Sequence, residues 1–228
     1  MTDHLTTKIL TVRHGQTDWN VLGKMQGQLD IPLNAQGHEQ AQLTAKALAQ
    51  LECAAIYSSD LSRAKATAQA IADHKQMQLF INTGLRERHF GSYQGFTFEE
   101  VRQHSPEDAK RWQARDLDFF PGGNGESLNA FSNRVISAVH AIARQHIGQT
   151  LVIVTHGGVL DALYREATQT DLQAPRTWQL GNASIGTLLW SQNQLRLQSW
   201  GDAAHLGGES LESHGEPTDT GPKGTYPL

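Results

Sequence analysis

The stretch Ile9-Leu10-Thr11-Val12-Arg13-His14-Gly15-Gln16-Thr17-Asp18-Trp19-Asn20 decides how the rest of the chain is read. Ile9 to Val12 has the length and β-branched content of a buried strand. It stops at Arg13-His14-Gly15, delivering a cation and an imidazole to a strand end, where open α/β sheets bind ligands. Gly15 lets the backbone turn sharply or pass close to a ligand. Alone, the triplet is also ordinary strand-exit chemistry. A second stretch repeats the pattern: Leu151 to Val154 runs apolar into Thr155-His156-Gly157-Gly158. If the two strands are parallel, His14 and His156 share one sheet edge. For either histidine alone a satisfied buried imidazole is a sufficient account; the matched pair is harder to dismiss.

Working outward, Val21 to Leu33 reads as a loop broken by Gly23, Gly27 and Pro32. Asn34 caps a helix running to about Leu51, with Ala41, Ala45, Leu48 and Leu51 on one face. Ala54 to Tyr57 is a short strand, and Ser58-Ser59-Asp60 supplies N-cap candidates for a helix from Leu61 to about His74. Leu79 to Ile81 is a third short strand, followed by an irregular loop from Leu85 to Gly95. Thr97 to Phe120 suggests two short helices broken near Pro106, then a Pro121-Gly122-Gly123 turn. Ser127 caps the clearest helix, whose stripe of Leu128, Phe131, Val135, Ala138 and Ile142 faces a core. After Leu151 to Val154 comes a helix over roughly Val159 to Ala167. Ile185 to Trp190 and Leu195 to Trp200 form an antiparallel hairpin across Gln192-Asn193. Alternating strands and helices imply an α/β fold, a mainly parallel sheet with helices on both faces and an antiparallel edge.

The 228 residues include 38% hydrophobic residues, enough for a real core, at a mean hydropathy of −0.47. No apolar run approaches the ~20 residues needed to span a bilayer, and no signal peptide is readable in Met1 to Thr7. The single cysteine, Cys53, excludes an internal disulfide and fits a cytoplasmic setting; packing explains it better than nucleophilicity. A net charge of −4 argues against general nucleic-acid affinity, though not against a small anion held by a few local cations. Eleven histidines raise the question of a metal, but no motif with metal-ligand spacing is present. His4, His38, His74, His104, His140, His146 and His214 stand among polar neighbours and are expected on the solvated surface. Beyond about Asp202 the composition turns to Gly, Glu, Ser, Pro and Thr. Residues 1–206 are therefore expected to form the domain, and 207–228 a disordered tail.

Two further positions bear on the strand-end histidines. Arg63 falls in the first turn of its helix, where the macrodipole disfavours a cation by roughly 0.3–1 kcal/mol. Either an ion pair with Asp60 compensates, or Arg63 reaches toward an anion held at the same helix end. Glu87 lies in Leu85-Arg86-Glu87-Arg88-His89, as a surface charge pair or as the one carboxylate near a cluster of cations.

Six ordered stretches carry a resemblance. They are Val12-Arg13-His14-Gly15-Gln16-Thr17-Asp18-Trp19-Asn20, Asp30-Ile31-Pro32-Leu33-Asn34-Ala35-Gln36-Gly37, and Ser58-Ser59-Asp60-Leu61-Ser62-Arg63-Ala64. The others are Leu85 to Gly95, Gly125-Glu126-Ser127-Leu128, and Val154-Thr155-His156-Gly157-Gly158. Together, over residues 8 to 206, they resemble the phosphoglycerate mutase-like branch of the histidine phosphatase superfamily. The resemblance implies a three-layer α/β/α sandwich and phosphoryl transfer through a phosphohistidine. His14 would be the nucleophile, its other ring nitrogen keeping its proton on a backbone carbonyl. Arg13, Arg63 and His156 would surround the phosphoryl oxygens, with the histidine as imidazolium. Each charge pair at 4 Å is worth about 4 kcal/mol at an effective dielectric of 20, so no metal and no organic cofactor is needed. Glu87 would protonate the leaving alkoxide and then activate water. Asn20, Thr17, Gln26 and Gly157 would contact the phosphate, and Arg88 a substrate carboxylate.

Hydrolases and mutases share this chemistry and differ in what reaches the phosphoenzyme. Mutases carry a longer insertion before the second His-Gly; here only Phe96 to Gly125 precedes the Ser127 helix, as in phosphatases. Its Phe96, Phe98, Trp112, Phe119 and Phe120 are core or lid residues. Glu87-Arg88-His89-Phe90-Gly91, by contrast, resembles the mutases. A phosphomonoester hydrolase acting on small organic phosphates is the favoured reading. A cofactor-dependent phosphoglycerate mutase is the alternative, and a catalytically inactive phosphoester-binding protein the alternative of another class. The expected partner is a small phosphorylated substrate, with no nucleic acid and no membrane; a homodimer stays open.

Overall fold

Side chains alternate across a strand, and in this chain that alternation builds two cores. The computed structural model describes residues 5–207; His4, His214 and all of the expected tail after Gly207 lie outside them. The elements are β1 (Thr7–Arg13), α1 (Asp18–Val21), α2 (Ala35–Ala47), β2 (Ala55–Ser58), α3 (Ser62–Lys75) and β3 (Leu79–Ile81). Next come α4 (Phe98–His104), α5 (Pro106–Gln113), α6 (Leu128–Arg144), β4 (Thr150–Thr155) and α7 (Gly157–Thr168), and finally β5 (Ile185–Ser191) and β6 (Gln194–Asp202). Ile9, Leu151, Ile153 and Leu188 join Phe131, Val135 and Val139 of α6 and Leu160 and Leu163 of α7 in one core. Leu10, Val12, Ile56, Val152 and Val154 join Ala45 of α2 and Ala68 and Ile71 of α3 in the other. The result is the expected three-layer α/β/α sandwich.

The six strands lie in the order β3-β2-β4-β1-β5-β6. The first four are mutually parallel, and β5 and β6 run antiparallel at one edge. Because β4 is inserted between β1 and β2, the carboxyl ends of three parallel strands lie side by side, the place where such sheets bind ligands. Arg13 is opposite Thr155 and Ser58 is opposite Val154, so the residues that follow each strand emerge on one rim. Gln192 and Asn193 take positive φ, 51° and 61°, as a two-residue hairpin turn requires.

Several local expectations need correction. α3 takes its N-cap from Leu61, which has no capping side chain; Asp30, far away in sequence, accepts the Ser62 N–H instead, at 2.6 Å. α1 covers Asp18–Val21, ending on the first residue of the expected loop, where no helix is expected; Thr17 and Asn20 form a reciprocal capping box there. His140 is buried against the edge of Trp190, ring centroids 6.2 Å apart, rather than solvated. α7 starts at Gly157, two residues before the predicted start, which makes His156 its N-cap. Phe98, Trp112 and Phe119 build a satellite core with Met25, Val101 and Ala109, whereas Phe96 and Phe120 stay exposed. Cys53 packs against Met77. No helix among the described residues is long and apolar enough to cross a membrane.

Candidate active site

The end of β1 presents His14 with its tautomer fixed. Its Nδ1 lies 2.7 Å from the Gly15 carbonyl, which can only accept, so Nδ1 holds the proton and Nε2 presents a lone pair. Nε2 is buried and has no hydrogen-bond partner in the described structure. The loop tolerates this because Gly15 and Gly37 pass closely: a Cβ on Gly15 would lie 2.4 Å from the Gly37 carbonyl oxygen. The Gly15 N–H donates to Thr67 Oγ1, whose hydroxyl in turn donates to the Arg63 carbonyl, joining the loop to α3.

Around His14 stand the expected cations. Arg13 donates from one terminal nitrogen to Leu180 O at 2.5 Å, while its Nε and other terminal nitrogen have no protein acceptor. Asp60 takes a two-point ion pair with Arg86. Arg63 donates to the carbonyls of Gly27 and Leu29 at 2.7 and 2.9 Å, which help offset its unfavourable place in the first turn of α3. The His156 ring lies 5.2 Å from that of His14, centroid to centroid. Its Nε2 contacts Ser59 Oγ at 2.7 Å, and its Nδ1 has no partner. Burial, then the Arg63 and Arg13 guanidiniums, holds the His14 imidazole well below its ordinary value of 6.5. Burial, Arg63, His14, Arg13 and Arg134 lower His156 likewise. Both shifts favour the neutral imidazole before an anion arrives; the imidazolium expected at His156 belongs to the phosphate-bound site.

Glu87 is fully buried, not a surface charge. Its carboxylate accepts from the Arg88 N–H at 2.7 Å and from the Gly158 N–H, in the first turn of α7, at 2.8 Å. Gln28 and Arg134 hold its carbonyl at 3.0 and 3.2 Å.

The remaining candidates divide. Asn20 is buried, and its Nδ2 has no protein acceptor. Gly157 opens α7, whose first N–H groups lack intrahelical partners. Gln26 is buried in the turn whose Gly27 and Leu29 carbonyls hold Arg63. Thr17 spends its hydroxyl on Asn20, accepting the backbone N–H and donating to Oδ1, each at 3.1 Å. Arg88 is turned onto the carbonyls of Glu126 and Phe119 and over the Trp112 ring, 5.8 Å from its centroid. These contacts tie the Glu87 loop to the aromatic satellite core. Ser59, Gly158, Arg134 and Asn182 support the site without having been singled out. The first two lie inside motif stretches, but the other two carry no local signal. Among the described residues no group of three or more His, Cys, Asp or Glu side chains could hold a metal ion.

This chain belongs to the histidine phosphatase superfamily: the profile for its branch 1 matches residues 9–203. Phosphoglycerate mutase-like protein 4 of Arabidopsis thaliana is 38% identical over 202 residues, covering 87% of this chain and 86% of the relative. The metal-independent phosphoserine phosphatase of the same plant is 37% identical over 218 residues, 95% of this chain and 90% of its own length. A solved phosphoserine phosphatase from Entamoeba histolytica, in complex with phosphoserine, superposes with a TM-score of 0.79 at 31% identity, over 88% of this chain and 99% of that one.

Proposed function

We propose that this enzyme hydrolyses small phosphomonoesters through a phosphohistidine on His14, with phosphorylated hydroxy or amino acids such as phosphoserine as its substrate class. The observation that carries the reading is the His14 Nδ1 contact with Gly15 O, which leaves a buried Nε2 lone pair between Arg13, Arg63 and His156. Nε2 attacks phosphorus as the P–O ester bond breaks, and the leaving alkoxide takes a proton from Glu87, which enters the cycle as the carboxylic acid and leaves this step as the carboxylate. Water then attacks the phosphohistidine, giving its proton to Glu87 as the P–N bond breaks and orthophosphate leaves. Arg13, Arg63 and the Asn20 amide stabilise the equatorial oxygens, since phosphoryl transfer asks mainly for positioning and charge. The two neutral imidazoles suit the two roles: one must be a nucleophile, and the other can gain charge as the anion binds.

Hydrolysis is favoured over mutation by the short span between the Glu87 loop and the Ser127-capped helix. Relatives named phosphoserine phosphatase support the same choice. Relatives named probable phosphoglycerate mutase, 28–29% identical, keep the second reading in view. The discriminating experiment compares phosphate release from phosphoserine with turnover of 3-phosphoglycerate in the presence of its bisphosphate primer. Hydrolysis should exceed mutase turnover; the reverse order would give the site to a mutase. The single cysteine supports a cytoplasmic setting, and sedimentation tests for a homodimer.

A further inference from the structure

Residues 169–184, between α7 and β5, form no helix or strand, an unusual length for a structureless connection in a compact domain. They are nevertheless pinned at both ends. At the far end Arg165 donates to Asp161 and to the Asp171 carbonyl and lies over Trp178, which stacks on Tyr164 with ring centroids 3.9 Å apart. At the near end the segment meets the nucleophile loop. Leu180 O accepts from Arg13, the Arg13 N–H donates to Ser184 O at 3.1 Å, and the Ala183 N–H donates to His14 O at 3.2 Å. Ala183 holds a φ of +57°, a region alanine disfavours, so these contacts maintain a strained backbone.

Asn182 is the side chain at the centre of this contact. It is 2% exposed, and its Nδ2 donates both to His14 O at 3.1 Å and to Asn20 Oδ1 at 3.2 Å. Backbone groups fix the polarity of the whole chain of contacts. A carbonyl only accepts, so the Asn182 nitrogen must face His14 O. The same nitrogen faces Asn20, whose amide must therefore turn its oxygen inward. The Thr17 N–H, donating to that oxygen at 3.0 Å, requires the same orientation independently. With three donors on its oxygen, the Asn20 amide has one way to point, and its buried Nδ2 becomes an N–H donor with no protein acceptor.

We propose that Asn182 is a positioning residue for phosphoryl transfer: it sets the Asn20 amide so that Nδ2 meets the phosphoryl oxygens, and steadies the backbone of the nucleophile. This rests on the phosphohistidine reading above. His14 O keeps the Ala183 N–H when the Asn182 side chain is removed, so the larger consequence falls on Asn20.

A double-mutant cycle with p-nitrophenyl phosphate tests it. Asn182→Ala should lower kcat/KM about tenfold, roughly one lost hydrogen bond's worth of transition-state positioning. Asn182→Asp should do more damage, because its oxygen would face two other oxygens. In an Asn20→Ala background, Asn182→Ala should cost less than about threefold, because the residue it orients is gone. The same cycle run with Asn182→Ser applies if the alanine variant does not fold. A full cost in both backgrounds, or a lowered melting temperature with unchanged kinetics, overturns the proposal. Labelling of wild-type protein separates the two levels: label on His14 with no coupling between Asn20 and Asn182 removes this inference and leaves the phosphohistidine reading standing, whereas no label removes both.

Discussion

The Gly158 N–H donates to Glu87 Oε2 at 2.8 Å, so the first turn of α7 is built directly against the carboxylate proposed to move the proton. That contact gives the second glycine after His156 a reason to be glycine. A Cβ there would lie 2.3 Å from Glu87 Oε1 and 3.1 Å from the carboxyl carbon, so the buried Glu87 carboxylate would have to shift to accept it. Alanine is otherwise the better helix residue by about 0.8–1 kcal/mol. Gly158→Ala should therefore lower kcat by about 10- to 100-fold through misplacement of the carboxylate, with a melting temperature close to wild type. Unchanged kcat would show that Glu87 has no need of its position.

Arg88→Ala should behave as a packing variant. The side chain covers Trp112 and satisfies the carbonyls of Glu126 and Phe119, so its loss should cost about 1–3 kcal/mol of stability. Its kinetic penalty should be the same for substrates with and without a carboxylate. A KM increase confined to carboxylate substrates would instead place Arg88 against the substrate carboxylate.

The two site histidines make stability pH-dependent in a definite direction. Burial and the neighbouring arginines keep both neutral in the folded protein well below 6.5. Below about pH 6.5 the unfolded chain therefore binds more protons than the folded one, and stability falls as pH falls, until the folded-state values are reached. Above that pH neither contributes. Each histidine adds at most about 1.4 kcal/mol per pH unit to the slope. Urea unfolding between about pH 7 and pH 5 should show His156→Gln losing less stability than wild type. Equal losses would mean that the imidazole is not held neutral.

Removing metal ions should change nothing. In the proposed site two guanidiniums and the Asn20 amide would serve the phosphoryl oxygens, and no metal-holding cluster exists among the described residues. Activity is expected to persist in excess chelator. Loss of activity that divalent metal restores would require a different mechanism.

What the sequence showed and what it hid follow physical lines. β1 and β4 were legible because continuous apolar runs end in His-Gly, and α6 because Ser127 caps a stripe of period 3.6. α1 was not, since its four residues are too few for any periodicity and its formation rests on the Thr17–Asn20 box. The cap of α3 was misread because the group serving Ser62 is Asp30, brought in by the loop, rather than the serines beside it. Arg63 is legible as a cation in an unfavourable place, but the loop carbonyls that help offset it come from Gly27 and Leu29, far from it in sequence. Arg88 announced a charge without announcing its direction. Asn182 sits in a segment with no pattern, and its partners lie more than 160 residues away, so only the folded chain reveals it.

The account stands or falls on His14. Brief incubation with a labelled phosphoester, quenched in alkali, should trap an acid-labile, alkali-stable phosphate on wild-type protein, absent from His14→Ala. Label on serine or cysteine, or turnover with no label at all, would contradict it.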